Sequence, residues 1–149
     1  MSSVQTTHFI EIINRPYNVP AGSVKALAKE LLDWLNAEPS RITLAFIDDD
    51  QMRELNQQYR NKNVTTDVLS FPINDQGKDG RLYLGDVVIS TERARQQALE
   101  LKHNFLTEVF QLFAHGLLHL CGYDHEADDG EMNELELRIR AEIVDRYCR

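Results

Sequence analysis

The segment His115-Gly-Leu-Leu-His119-Leu-Cys-Gly122-Tyr-Asp124-His125 carries three of the five histidines of this chain. His115 and His119 are four residues apart, so on a helix they share one face. Gly122 can end that helix in a left-handed turn, because glycine adopts a positive φ at little steric cost. The chain can then reverse and direct the imidazole of His125 towards the other two. The segment therefore predicts a helix, a tight turn and a cluster of three imidazoles.

Three neutral imidazoles are the ligand set of a catalytic zinc site, since they leave one tetrahedral position open. We therefore predict one Zn²⁺ per chain, held by His115, His119 and His125. Cys121 is the obvious candidate for a further ligand, which would close the site as in a structural zinc centre. It follows His119 by two residues and so lies away from the ligand face of the helix, where we expect it to pack.

The histidine spacing matches the metzincin signature, His-Glu-x-x-His-x-x-Gly-x-x-His, except at one position. Gly116 stands where metallopeptidases of that class carry their catalytic glutamate. The segment therefore predicts a metzincin-like zinc helix that lacks the usual general base. A metallopeptidase stays an alternative, but the missing glutamate counts against it.

The composition is that of an ordinary globular protein, with 149 residues, 42% of them hydrophobic and 27% charged. This length fits one domain, which we expect to span residues 1–149. The chain has no long apolar run and no secretory start, and its two cysteines are too few for a disulfide framework. We therefore expect a cytoplasmic protein without a membrane partner.

Hydrophobic periodicity and the positions of glycine and proline predict four strands and about five helices. The strands are expected at residues 7–13, 41–47, 68–73 and 82–90. Helices are expected from 23 to about 36, from 48 to about 59, from 91 to about 102, after 104 through the histidine segment, and over 128–147. The predicted helix caps include Ser23 and Thr91, and the last helix is expected to bury Met132, Leu135, Leu137, Ile139 and Ile143.

The connections between these elements predict how the strands pair. The short loop between the last two strands favours an antiparallel pair, whereas the helical connections before it favour parallel pairing. The predicted fold is therefore α/β (α+β), with a mixed four-stranded sheet covered by helices and the metal helix packed along it.

The histidine segment is similar to the signature of the YbeY family, bacterial endoribonucleases that act as ribosomal RNA maturation factors. Two further blocks agree in type and order: Leu55-Asn-x-x-Tyr59-Arg60-x-Lys62 with Thr66-Asp67-Val-Leu-Ser-Phe-Pro72, and Leu84-Gly-Asp86-Val-Val-Ile-Ser90. The resemblance spans nearly the whole chain, and glycine at position 116 is the family's own residue.

The resemblance implies a metal-dependent endoribonuclease with His115, His119 and His125 as ligands of a single metal, usually assigned as zinc. It implies a single-strand-specific hydrolase that acts in ribosomal RNA processing, at the 3′ end of the 16S RNA, and in ribosome quality control. The implied partners are ribosomal RNA and the small ribosomal subunit with its proteins, and we expect no DNA partner. A ribosome assembly factor with a structural zinc is the alternative from another class.

The resemblance also implies that Arg60 lines the cleft. A guanidinium suits the negative charge that develops on a phosphate during cleavage, so we predict a catalytic role for this residue. The alternative is a surface ion pair with Asp49 or Asp50. These two acidic residues, together with Asp48, are expected to cap and open a helix rather than to bind a second metal.

The general base is not assigned by the sequence, because Gly116 replaces the expected glutamate. Asp124 lies beside a predicted ligand and could orient an imidazole or move a proton, so we group it with Arg60 and His115 as catalytic. Asp67 and Asp86 are alternatives. The ribose 2′-hydroxyl can also attack without the help of a carboxylate.

The net charge of −8 argues against a broad surface that attracts nucleic acid, because phosphate contacts supply most of that affinity. We therefore predict a small positive cleft formed by Arg60, Lys62 and the metal ion. Few phosphate contacts should make binding to free RNA weak and only modestly dependent on salt.

Overall fold

The protein is described by a computed structural model that covers residues 8–123 and 130–148. Its strands are β1 (Phe9–Ile13), β2 (Ser40–Ile47), β3 (Val68–Gln76) and β4 (Leu82–Ser90). Its helices are α1 (Ala21–Trp34), α2 (Asp49–Arg60), α3 (Thr91–Leu101), α4 (Phe105–Leu120), α5 (Glu131–Ile139) and α6 (Asp145–Tyr147). A π-helical turn (Arg140–Val144) joins α5 to α6, so the predicted last helix is one nearly continuous segment.

The four strands form one mixed sheet in the order β1-β2-β4-β3. β1 and β4 pair parallel to β2, whereas β3 pairs antiparallel to β4, which confirms the predicted pairing. β3 is longer than predicted, because pairing resumes at Asp75 and Gln76 after an irregularity that follows Pro72. The turn that joins β3 to β4 is therefore short, and the amide of Gly77 donates to the carbonyl of Arg81 at 2.8 Å.

The main hydrophobic core lies between one face of the sheet and the helices α1, α4 and the terminal segment. Its largest fully buried side chains include Phe110, Phe113, Leu27, Leu31, Ile42, Leu44 and Leu117. A second, smaller cluster on the other face joins Met52 of α2 to Leu69 and Val88 of the sheet. The sheet is thus covered on both faces, as in other layered α/β folds.

Helix starts agree with the sequence only where a side chain can reach the backbone of the first turn. Asp48 forms a capping box with Gln51, so the acidic run opens α2 as predicted. The expected cap at Ser23 is wrong, because α1 begins at Ala21 and the N-cap position is taken by Pro20, which is extended and forms no side-chain cap hydrogen bond. The expected cap at Thr91 is displaced by one residue, since Ser90 accepts the amide hydrogen of Arg93.

The buried face of the terminal segment differs from the prediction at one residue. Met132, Ile139 and Ile143 are buried, but Leu137 is 58% exposed. Residues three or four apart share a helix face, and Leu137 is two residues from Ile139. Within the described residues, none of the helices has the length and apolar character needed to cross a membrane.

Candidate active site

Helix α4 carries the two described histidines of the predicted metal site. Asn104 caps its first turn by accepting the amide hydrogen of Thr107 at 2.7 Å. After Leu120 the backbone reverses at Gly122, whose φ is +97°, and its amide donates to the carbonyl of His119 at 3.0 Å. This left-handed turn was predicted. The predicted residues Asp124 and His125 lie outside the described residues.

The half-buried imidazoles of His115 and His119 converge on one face of α4. Their Nε2 atoms are 3.0 Å apart, and their ring planes are inclined by 75°. His115 Nδ1 lies 2.6 Å from Oε1 of Glu136. A carboxylate accepts hydrogen bonds, so Nδ1 carries the hydrogen and Nε2 presents a lone pair towards His119.

Glu136 was missed by sequence reasoning. It lies on α5, four residues after the buried Met132, and its side chain is 12% exposed. A carboxylate on the inward stripe of an amphipathic helix is the signal that could have identified it, because buried charges are almost always paired.

A cleft of about 640 Å³ runs beside these histidines. The described residues that line it include Arg60 at the end of α2, Asp67 directly before β3, Ser70 on β3, and Tyr123. Lys62, which we expected to contribute to a positive cleft, is exposed and does not line it. The cleft is therefore lined by a cation, Arg60, and by two imidazoles.

The expected alternative for Arg60, an ion pair with Asp49 or Asp50, is wrong. Asp49 accepts hydrogen bonds from the hydroxyls of Ser90 and Thr65, which tie the start of α2 to the sheet. Asp50 lies 3.5 Å from the guanidinium of Arg53. Within residues 8–123 and 130–148, no carboxylate lies within ion-pair distance of the Arg60 guanidinium.

The two alternative carboxylates, Asp67 and Asp86, lie in different places. Asp67 lines the cleft, whereas the Asp86 carboxylate accepts a hydrogen bond from the Tyr83 hydroxyl at 2.5 Å. Val87 contacts α4, and successive side chains of a strand point to opposite faces, so Asp86 points away from α4. Asp86 is therefore not part of the cleft.

Gly116 is explained by the close approach of α4 to the sheet. A Cβ at this position would lie 2.6 Å from Cγ1 of Val87 and 3.1 Å from the hydroxyl of Ser70. The Ser70 hydroxyl also donates to the carbonyl of Gly116 at 3.2 Å. The helix surface that carries glutamate in the metzincin signature is thus pressed against β3 and β4, where a larger side chain has no room.

Cys121 packs as expected. It is partly buried against the main core, and burial raises the pKa of its thiol to about 11. The structure gives it no role at the histidine face.

The donor set of the site fits part of a transition-metal centre. Two nitrogens bound to one tetrahedral Zn²⁺ at about 2.0–2.1 Å would be about 3.3 Å apart, close to the observed separation of the two Nε2 atoms. Neutral imidazole suits zinc and its neighbours in the first transition row. Among the described residues alone, no group of three or more potential ligands is close enough to hold a metal ion.

Residues 10–144 match the family model described as Endoribonuclease YbeY. The chain is 35% identical to the endoribonuclease YbeY of Thermodesulfovibrio yellowstonii, over 90% of this chain and 96% of the relative. It is 46% identical to the protein of that name from Campylobacter jejuni, over 76% of this chain and 87% of the relative.

The fold is similar to the solution structure of TM1509 from Thermotoga maritima, with a TM-score of 0.60 and 26% identity, over 93% of this chain and 89% of that one. The mixed sheet and the histidine-bearing helix thus define an α/β protein with a cleft beside two convergent imidazoles. The chain belongs to the YbeY family.

Proposed function

We propose that this protein is a metal-dependent endoribonuclease that acts in ribosomal RNA processing. Membership of the YbeY family supports the activity and the RNA substrate. The observation that carries the proposal is the cleft, which is lined by Arg60 and by the convergent pair His115 and His119. Cleavage of a phosphodiester requires both a site for the phosphate charge and activation of the attacking hydroxyl.

The proposed metal is one Zn²⁺ held by His115, His119 and His125, with the third ligand carried over from the family resemblance. The 3.0 Å separation of the first two Nε2 atoms supports this set. When bound, a zinc ion would act as a Lewis acid towards the phosphate and lower the pKa of coordinated water. Glu136 holds the hydrogen of His115 on Nδ1 and thereby keeps Nε2 available as a ligand.

Arg60 has the properties required to bind the scissile phosphate. Its side chain is exposed at the end of α2, and within the described part of the chain its charge is not neutralised by a carboxylate. A guanidinium can donate two parallel hydrogen bonds to phosphate oxygens and keeps its charge at any physiological pH. We propose that it binds the phosphate in the ground state and stabilises the additional charge of the transition state.

Asp124 stays a proposed catalytic residue, because its predicted position beside His125 would let it orient an imidazole or move a proton. We propose cleavage of single-stranded RNA at the 3′ end of the 16S RNA, in the cytoplasm and in the context of the small ribosomal subunit.

The packing of Gly116 counts against a metallopeptidase. A glutamate there would have to displace Val87 and Ser70, which pack directly against the helix backbone. Peptide hydrolysis on a metzincin-like helix requires that glutamate as general base. An endoribonuclease has no such requirement, because its attacking hydroxyl can be activated elsewhere in the cleft.

The test uses the zinc-loaded protein and a single-stranded fragment from the 3′ region of 16S RNA. We expect wild-type protein to cleave it, chelation to abolish cleavage and added Zn²⁺ to restore it. Arg60→Gln should lower kcat/KM by about 10²- to 10³-fold, the loss typical of removing one charge-stabilising donor.

Arg53→Gln is the matched control, since Arg53 lies on the same helix and pairs with the exposed Asp50. It should cleave RNA as the wild type does. If the folded, zinc-loaded Arg60→Gln protein cleaves RNA and supports ribosomal RNA maturation in cells at the wild-type level, the proposed catalytic role is wrong. An assembly factor with a structural zinc would then be the better explanation.

A further inference from the structure

One side-chain amide, that of Gln97 on α3, connects a carboxylate that lines the cleft, Asp67, to a buried one, Glu108. Its Nε2 atom donates to Oδ2 of Asp67 at 3.1 Å and to Oε2 of Glu108 at 3.0 Å. A primary amide nitrogen carries two hydrogens, so both bonds form at once. The amide oxygen cannot take the place of the nitrogen, because it would then face two acceptors. The orientation of Gln97 is therefore determined by its two partners.

Glu108, the buried carboxylate of this connection, is held in place by its hydrogen bonds. Glu108 lies in the first turn of α4 and is 4% exposed. Its second carboxylate oxygen, Oε1, lies 2.7 Å from Nε2 of His103. A buried carboxylate is costly unless its oxygens are hydrogen-bonded, so this arrangement holds Glu108 in one position. It thereby supplies a fixed anchor for Gln97.

The other carboxylate of this connection, Asp67, lines the cleft. Asp67 precedes β3, and its Oδ1 accepts the amide hydrogen of Val68 at 2.8 Å. Its carbonyl oxygen accepts the amide hydrogen of Ser90 at 2.9 Å, which ties the backbone to the end of β4. A carboxylate offers about four acceptor sites. Oδ1 also accepts from the Thr66 hydroxyl at 3.4 Å, and among the described residues Oδ2 accepts only from Gln97, so one acceptor site remains on Oδ2.

The position of Asp67 is unusual for a site that binds a polyanion. Among the described residues that line the 640 Å³ cleft, it is the one carboxylate, and it shares that cleft with Arg60 and His115. A carboxylate repels the phosphate that Arg60 attracts. Its favourable partner in the cleft must be a hydrogen-bond donor, and the donor that phosphodiester cleavage brings there is the attacking hydroxyl.

We propose that Asp67 accepts a hydrogen bond from the attacking hydroxyl and orients it, and that Gln97 is the positioning residue that holds Asp67 for this task. Glu108 and His103 form the rigid support behind Gln97. The inference rests on the proposed endoribonuclease function and adds two residues to its machinery. A hydroxyl aligned for attack is worth a large factor in rate, since misplacement by about 1 Å can cost about 10²-fold.

The first test replaces the amide by an apolar group. Gln97→Leu should lower kcat by about 10- to 100-fold, as is typical of residues that orient a catalytic group from behind, and leave KM and zinc content nearly unchanged. Gln96→Leu is the matched control, because Gln96 is the exposed neighbour on α3 and contacts Arg93 instead. The control should retain the wild-type kcat. If Gln97→Leu does not fold, Gln97→Asn removes the reach of the amide while keeping its chemistry, and the same loss of kcat is expected.

The second test is a double-mutant cycle with Asp67→Ala. If Gln97 acts through Asp67, adding Gln97→Leu to Asp67→Ala should cause no further loss of kcat. Equal fold-losses in both backgrounds would show that Gln97 acts by another route and would overturn the proposal. A rise in KM without a change in kcat would overturn the proposal as well.

Two results distinguish the activity of the protein from the positioning role of Gln97. Zinc-loaded wild-type protein that cleaves no RNA contradicts the proposed function. Wild-type protein that cleaves RNA, together with a Gln97→Leu variant of unchanged kcat, contradicts the positioning role alone.

Discussion

A histidine–carboxylate pair lies at each end of helix α4, yet the two pairs have different surroundings. Near the start of the helix, Glu108 is buried and binds His103 at 2.7 Å. In the second half, His115 binds Glu136 of α5 at 2.6 Å, and a second imidazole, that of His119, lies 3.0 Å away. The distances within the two pairs are nearly equal. The difference lies in what each pair presents to the solvent.

A histidine–carboxylate pair is therefore not by itself the mark of a site. The third pair in the described structure supports this: His8 binds Asp33 at 3.0 Å while its other nitrogen accepts the amide hydrogen of Ser40. Both ring nitrogens of His8 are used to join structural elements. The pair on α4 that lines the cleft differs because its outward nitrogen faces another imidazole. Convergence of two imidazole nitrogens, rather than pairing with a carboxylate, distinguishes the candidate metal site.

The largest difference between the two ends should come from removing one histidine from each. We expect His119→Ala to lose the zinc and to reduce RNA cleavage by about 10³-fold or more, because the metal supplies several kcal/mol of transition-state stabilisation. His103→Ala should keep the zinc and stay within about tenfold of the wild-type rate. The substitution loosens Glu108, which is connected to Asp67 in the cleft only through Gln97. Elemental analysis and single-turnover cleavage measure both. Similar losses of zinc in the two variants would erase the distinction.

The carboxylates should differ in the quantity that each controls. Glu136→Gln is expected to weaken zinc affinity or activity by about 10- to 100-fold, because the partner of a ligating histidine sets its tautomer and orientation. Glu108→Gln should instead lower the free energy of unfolding by about 1–3 kcal/mol, the cost of disturbing buried hydrogen bonds.

Competition with a chelator measures the first quantity, and urea unfolding of the metal-free protein measures the second. The comparison fails if Glu108→Gln weakens zinc binding as much as Glu136→Gln does.

The close contact of the second half of α4 with the sheet should appear in stability. Gly116→Ala places a Cβ 2.6 Å from a Val87 methyl group. Overpacking costs about 1–3 kcal/mol, whereas the gain in helix propensity is at most about 1 kcal/mol, so the variant should be less stable.

Gly22→Ala is the control, because nothing lies within 4 Å of the new Cβ in α1. The same chemical change should there be neutral or stabilising by up to about 1 kcal/mol. Thermal or urea unfolding compares the two variants. A stabilised Gly116→Ala protein would mean that α4 can move away from the sheet.

The smallest effect is expected at Cys121, two residues beyond His119. Its thiol packs against the main core, so Cys121→Ala should leave zinc content and RNA cleavage unchanged while His119→Ala abolishes both. Zinc analysis of the two variants side by side makes the comparison. Loss of zinc from Cys121→Ala would place the thiol among the ligands and give the site a closed, structural character.

Much of the fold could be predicted from local patterns. Strand β4 has the predicted bounds, the pairing of β3 with β4 is antiparallel as expected, and the turn at Gly122 ends α4 in the predicted way. The errors at Ser23 and Leu137 arise where one pattern competes with another. A preceding proline starts α1 earlier than the serine would, and a leucine on a mostly apolar helix can still face the solvent.

The sequence by itself determined the order of the elements and the shared helix face of His115 and His119, because helix and strand periods relate residues that are close in the chain. The tertiary structure decided which distant residues join them. Glu136 is 21 residues from His115, Gln97 is 30 residues from Asp67, and Ser70 is 46 residues from Gly116. Packing of α3 and α4 against the sheet, and contact of α5 with α4, create these contacts. They depend on the positions of whole elements, which no local pattern contains.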